Sequence, residues 1–117
     1  MKAYVICISA LFVLVILAVH AQFTSARSTE TLAQKQECFK CHAGNNNKKA
    51  IGPTFQQIAE KYRNDTLPLS TLAERVKKGS KGHWTEVSRG VPMPPYSGRL
   101  TDAEIRELVE WVMKKEN

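Results

Sequence analysis

Behind Lys2 the chain opens on a nearly unbroken apolar run, Ala3 to Val19, and everything after it carries its apolar residues at helical spacing. Four helices are predicted. Ser28 or Thr29 is placed to cap the first, with Glu30 favourable in its opening turn. This helix runs toward Cys41 with Leu32 and Phe39 on one side, and Gly44-Asn45-Asn46-Asn47 then breaks the chain. The second starts near Pro53, where Phe55, Ile58, Ala59 and Tyr62 follow the i, i+3, i+4, i+7 rule, and Asn64-Asp65 ends it. The third covers residues 69–78, with Leu69, Leu72 and Val76 on one face and Gly79 as its C-terminal cap. For the last, Thr101 and Glu104 form a capping box, and Leu100 and Ile105 can staple its start. Its stripe is Ile105, Leu108, Val109 and Val112, flanked by Trp111. Between the third and last helices, Ser80 to Arg99 is rich in Gly and Pro and reads as a loop. A loop this long in a compact domain normally has a job. No segment alternates as a strand and no repeat is visible, so the fold class is all-α.

A positive start, an apolar middle and small residues at Val19-His20-Ala21, or again at Thr24-Ser25-Ala26, make a secretory signal. Cleavage after Ala21 is favoured over Ala26, dividing the chain into a signal peptide (1–21) and one domain (22–117). The alternative is a retained membrane anchor, for which the run is slightly short of the roughly 20 residues of a full span. Losing residues 1–21 removes one lysine and no acid, so the net charge of +6 drops by one. A domain this small has a thin core, which a buried, flat, apolar cofactor would relieve. Cys7 leaves with the signal; it lies too near the start, without a small-residue approach, for lipid attachment.

Cys38 and Cys41 remain. In an exported chain such a pair fits a disulfide or a redox couple. A thioredoxin reading needs βαβ alternation, which is missing, and a zinc site needs a second ligand pair. The next residue, His42, decides: Cys38-Phe39-Lys40-Cys41-His42 is the c-type haem attachment pattern. Residues three apart on a helix share a face, so two sulfurs reach two vinyl groups while the imidazole points at the iron. One covalently bound haem c is the expected cofactor, with His42 as its first axial ligand. Candidates for the second are Met93, Met113 and His83. Met113 falls at the end of the last helix and reads as a peripheral contact; His83 reads as an exposed loop residue. Met93 lies in Val91-Pro92-Met93-Pro94-Pro95. Prolines fix φ and stiffen the loop, which helps a weak thioether stay bound, so Met93 is the favoured metal ligand.

At these residues the chain resembles the class I cytochromes c of the short bacterial monohaem type. The resemblance rests on the haem signature, on Ile51-Gly52-Pro53-Thr54-Phe55 through Tyr62, and on Lys78-Gly79-Ser80-Lys81-Gly82-His83-Trp84. Pro92-Met93-Pro94-Pro95 and Glu110-Trp111-Val112 complete it. It implies four helices wrapped around one haem, with first and last helices crossing beside it. It also implies that the Pro53 carbonyl accepts from the His42 ring N–H and that Trp84 reaches a haem propionate. Two departures stand out. Thr85 to Arg89 are extra residues between Trp84 and the methionine loop. Tyr96 replaces an asparagine whose amide contacts the methionine sulfur; its hydroxyl could donate there instead, or its ring could cover the haem edge.

Filling both axial positions with protein leaves no open iron, so the expected activity is one-electron transfer and not an enzymatic reaction. Two alternatives are an electron-entry subunit bound tightly to one oxidoreductase, and an open-site haem enzyme or gas binder. The second would show high-spin iron and ready cyanide binding. Lys48, Lys49, Lys77, Lys78, Lys81, Arg89 and Arg99 flank the haem loops. They suit redox partners with acidic docking surfaces, or an ordinary solvated surface. Nucleic acid is excluded as a partner by export and the lack of a binding motif. A periplasmic monomer is expected, touching the membrane only if its N-terminal segment is retained.

Overall fold

The structure, a computed structural model, describes residues 12–13, 15–17, 27–42 and 50–115. The candidate cleavage points at Ala21 and Ala26, the Gly44 to Asn47 break, Lys48 and Lys49 lie outside those residues. Helical segments follow in the order α1 (27–35), α2 (Cys38–His42), α3 (Phe55–Tyr62), α4 (Pro68–Lys78), α5 (Thr85–Ser88) and α6 (Asp102–Met113). The described residues contain no strand, in keeping with the all-α class. Residues 12–13 and 15–17 are helical and exposed. Among the described residues no helix is long and apolar enough to cross a membrane.

α6 is the element on which the others pack. The Glu104 N–H donates to the Thr101 hydroxyl at 3.3 Å, and the Thr101 N–H donates to the Glu104 carboxylate at 2.8 Å, so the capping box is complete. Ile105, Leu108, Val109, Trp111 and Val112 are all buried, Ile105 the deepest at 2% exposed. Burying each such side chain stabilises by about 1.5–3 kcal/mol. α3 and α4 lie against this stripe. α1 reaches it through Ala33, fully buried in the same cluster, and through Thr29, whose hydroxyl donates to Glu107 at 2.9 Å. Leu100 joins Ile105 in that cluster, as the staple requires.

Several expected boundaries move. The first helix does not run unbroken to Cys41. It stops before Gln36-Glu37, where Glu37 takes the left-handed φ of 61°, and α2 starts again at Cys38. The Gln36 carbonyl faces Tyr96, whose hydroxyl donates to it at 3.4 Å, a tertiary contact that sequence periodicity does not see. Ser28 and Thr29 lie inside α1, and buried Thr29 binds α6 where a cap was expected. α3 starts at Phe55, not Pro53, because Thr54 and Gln57 form a capping box there. α4 begins one residue early, with Pro68 in its first turn. Leu69 is 41% exposed and contributes little to the core. The stretch from Ser80 to Arg99 is not structureless: the extra residues fold into the single turn α5, closed by Arg89 at φ 51°.

Candidate haem site

The site starts from a short helix. α2 puts Cys38 and Cys41 a turn apart, both half-buried and neither bonded to the other, and ends on buried His42. His42 Nδ1 lies 2.6 Å from the Pro53 carbonyl oxygen. A carbonyl only accepts, so Nδ1 carries the proton and donates, and the lone pair of the neutral ring is on Nε2. Burial holds the imidazole below its ordinary pKa, while the Pro53 bond works in the opposite sense. A neutral imidazole with a free Nε2 is what a metal requires.

Two neighbours fix the plane of that ring. Phe55 stacks on it at 5.4 Å between centroids and 25° between planes. Phe55 is itself held edge-on by Phe39 at 5.4 Å and by Trp111 at 5.1 Å, tying α2, α3 and α6 together. Gly52 closes the other approach: a Cβ there would sit 3.2 Å from His42 Cε1. The Gly52 N–H also donates to the Cys41 carbonyl at 2.9 Å. Gly52 was visible in the sequence only as the neighbour of Pro53; its tightness against His42 is set by the loop between α2 and α3.

Met93 is held from α4. Ser80 and Met93 exchange two main-chain hydrogen bonds, Ser80 N–H to Met93 at 3.1 Å and Met93 N–H to Ser80 at 2.8 Å. Further on, the Tyr96 and Ser97 N–H groups donate to the Val76 and Lys77 carbonyls, which the helix end would otherwise leave unpaired. Tyr96 is buried, and its hydroxyl goes to Gln36. Trp84 is half-buried at the start of α5. Lys61 lies over its ring at 4.1 Å and donates to the His83 carbonyl at 3.2 Å. His83 is exposed, and Met113 packs at the edge of a smaller cluster with Tyr62, Leu72 and Val109. Lys61 had no signal in the sequence beyond being a helical lysine.

Cys38, Cys41, His42, Pro53, Trp84 and Met93 all line one cavity, whose remaining wall includes Phe55, Ile58, Leu72, Val76, Leu108 and Val112. These residues fit a haem. The wall is apolar, as the ring requires; two thiols lie on one face for its vinyl groups; a neutral imidazole offers Nε2; and a thioether lines the same space. No group of three or more His, Cys, Asp or Glu that could hold a free metal ion occurs among the described residues.

The sequence profile of the cytochrome c family matches residues 27–115. Cytochrome c2 of Rubrivivax gelatinosus is 36% identical over 83 residues, covering 71% of this chain and 92% of that protein. Cytochrome c-552 of Hydrogenobacter thermophilus is 35% identical over 86 residues, covering 74% and 80%. The crystal structure of Nitrosomonas europaea cytochrome c552 superposes with a TM-score of 0.60 at 33% identity, covering 73% of this chain and 96% of that one. The fold, the cysteine-bearing turn with its oriented histidine, and this likeness across residues 27–115 place the chain in the cytochrome c family, as a small class I bacterial electron carrier with one covalently bound haem c.

Proposed function

We propose that the protein shuttles single electrons between redox partners through a closed haem, with Cys38 and Cys41 as thioether attachments and His42 and Met93 as axial ligands. The observation that carries this reading is that all four residues line one apolar cavity while Pro53 occupies His42 Nδ1. When bound, the haem iron supplies a one-electron couple between Fe(III) and Fe(II). The chain's own residues do the rest. Pro53 fixes the tautomer of His42, Phe55 and Gly52 fix its plane, and the pairing with Ser80 fixes the main chain at Met93. Trp84 is assigned to a haem propionate, with Lys61 above its ring.

Lys81 and Arg89 are exposed, and with the net charge of +6 they suit docking to acidic partners. Lys77 and Lys78 are paired to Asp102 and Glu74 at 2.7 and 2.5 Å and present less free charge. Export to the periplasm with removal of residues 1–21 completes the proposal, the protein then acting as a monomer.

The test is the visible spectrum of the purified ferric protein against that of Met93→Ala. Loss of the weak red-end band of Met-ligated haem, with ready cyanide binding, is the expected result. An unchanged spectrum rules Met93 out as the ligand. High-spin iron in the unaltered protein would instead point to an open-site haem protein.

A further inference from the structure

Resting on Met93 as ligand, we propose that Gly79 is a positioning residue for it: the turn that ends α4 is a main-chain clamp that holds the Met93 loop against the haem, and only glycine fits at its centre.

Two observations carry this independently. The first is hydrogen bonding. The end of α4 and the residue after Gly79 grip the loop at four main-chain bonds: both bonds of the Ser80–Met93 pair, Tyr96 N–H to Val76 at 3.0 Å, and Ser97 N–H to Lys77 at 3.2 Å. The second is space. Gly79 takes φ +80°, and a Cβ on it would lie 2.8 Å from the Met93 carbonyl oxygen and 3.1 Å from the Pro95 nitrogen. Both are main-chain atoms, and the prolines on either side of Met93 leave little freedom to move away. Any side chain at 79 therefore pushes on residue 93 itself. A thioether is a weak ligand, so a small displacement of its main chain shifts the balance between bound and released sulfur.

Gly90, which lies outside the cavity lining, supplies the control. It also has a positive φ, +84°, but a Cβ there meets nothing within 4 Å. Gly79→Ala and Gly90→Ala both place alanine at positive φ, and only Gly79→Ala presses on the methionine loop.

The experiment compares the ferric holoprotein with Gly79→Ala, Gly90→Ala and Met93→Ala, reading the red-end band and cyanide affinity. Gly79→Ala is expected to weaken the band and to bind cyanide about tenfold more tightly than Gly90→Ala, which keeps the unaltered protein's behaviour. Equal cyanide affinity in the two glycine variants, with the band lost in Met93→Ala, overturns the clamp and leaves the ligand assignment standing. An unchanged spectrum in Met93→Ala overturns both. Should Gly79→Ala not accumulate with haem, amide exchange in the unaltered ferric protein decides the matter. Cyanide displacing Met93 is expected to speed exchange at the Ser80 and Met93 amides together, by about tenfold or more. A Ser80 amide indifferent to cyanide overturns the clamp.

Discussion

At the scale of single residues the site depends on main-chain atoms as much as on side chains. Pro53 shows this. Its contribution to His42 is a carbonyl oxygen, and every residue type has one. Pro53→Ala is therefore expected to keep the bond and to cost only about 0.4–1 kcal/mol, through a freer unfolded chain. Gly52→Ala should be the more damaging change, although it alters no hydrogen-bonding group. Its new Cβ would stand 3.2 Å from His42 Cε1 and 3.4 Å from Nδ1 in a wall already filled by Phe55. Overpacking of this kind costs about 1–3 kcal/mol. Denaturant unfolding of the two variants checks the order. The reduction potential provides a second reading: it shifts for Gly52→Ala, where the ring is pushed, and stays near the original for Pro53→Ala.

At the scale of elements, caps set where helices begin, and tertiary contacts set where they stop. Thr101 and Glu104 were readable from spacing alone, and the box is present in full. Thr54 and Gln57 form a second box that the proline beside it obscured. The Thr101 N–H and hydroxyl hold the Glu104 carboxyl below its ordinary pKa. In the unfolded chain Glu104 takes up its proton at higher pH than in the folded one. The stabilisation is thus present at neutral pH and is lost as the pH falls through the carboxylate range. Glu37 and Glu74, lowered by Lys40 and Lys78, titrate in the same direction. Glu104→Gln retains an acceptor for the Thr101 N–H and has no proton to gain there. Thermal unfolding followed across acidic pH should show a shallower loss of stability in Glu104→Gln than in the unaltered chain. Thr101→Ala removes the cap itself, and about 1 kcal/mol is expected to go with it at neutral pH.

For the whole molecule, charge governs encounter and packing governs the electron's surroundings. The net charge of +6 leaves a positive excess even without residues 1–21. Oxidation by an anionic reagent such as hexacyanoferrate(III) should slow as salt rises, while oxidation by a cationic cobalt complex should not. Over this range the screening length falls from about 30 Å at 0.01 M to about 8 Å at 0.15 M. Stopped-flow rates against ionic strength measure both; equal slopes for the two reagents would refute a positive docking face. The aromatic trio of Phe39, Phe55 and Trp111 belongs to this scale too, because it joins three helices at one wall of the haem cavity.

Local sequence pattern was enough for the class of cofactor and for the helical framework. Cys38, Cys41 and His42 are close in the chain, so local helical geometry is enough to point to a covalently bound haem. The α6 cap and stripe are equally local. The tertiary structure alone decided what depends on distant segments meeting. It broke the first helix at Glu37, where Tyr96, sixty positions further along, meets the Gln36 carbonyl. It turned the unexplained insertion into α5 and brought Lys61 over Trp84. It also gave Gly79 a second role beside that of a helix cap, because the Met93 carbonyl lies where a side chain would go. Periodicity and capping report on neighbours a turn apart. Contacts between residues 79 and 93, or 36 and 96, arise only when the core closes, and no local pattern encodes them.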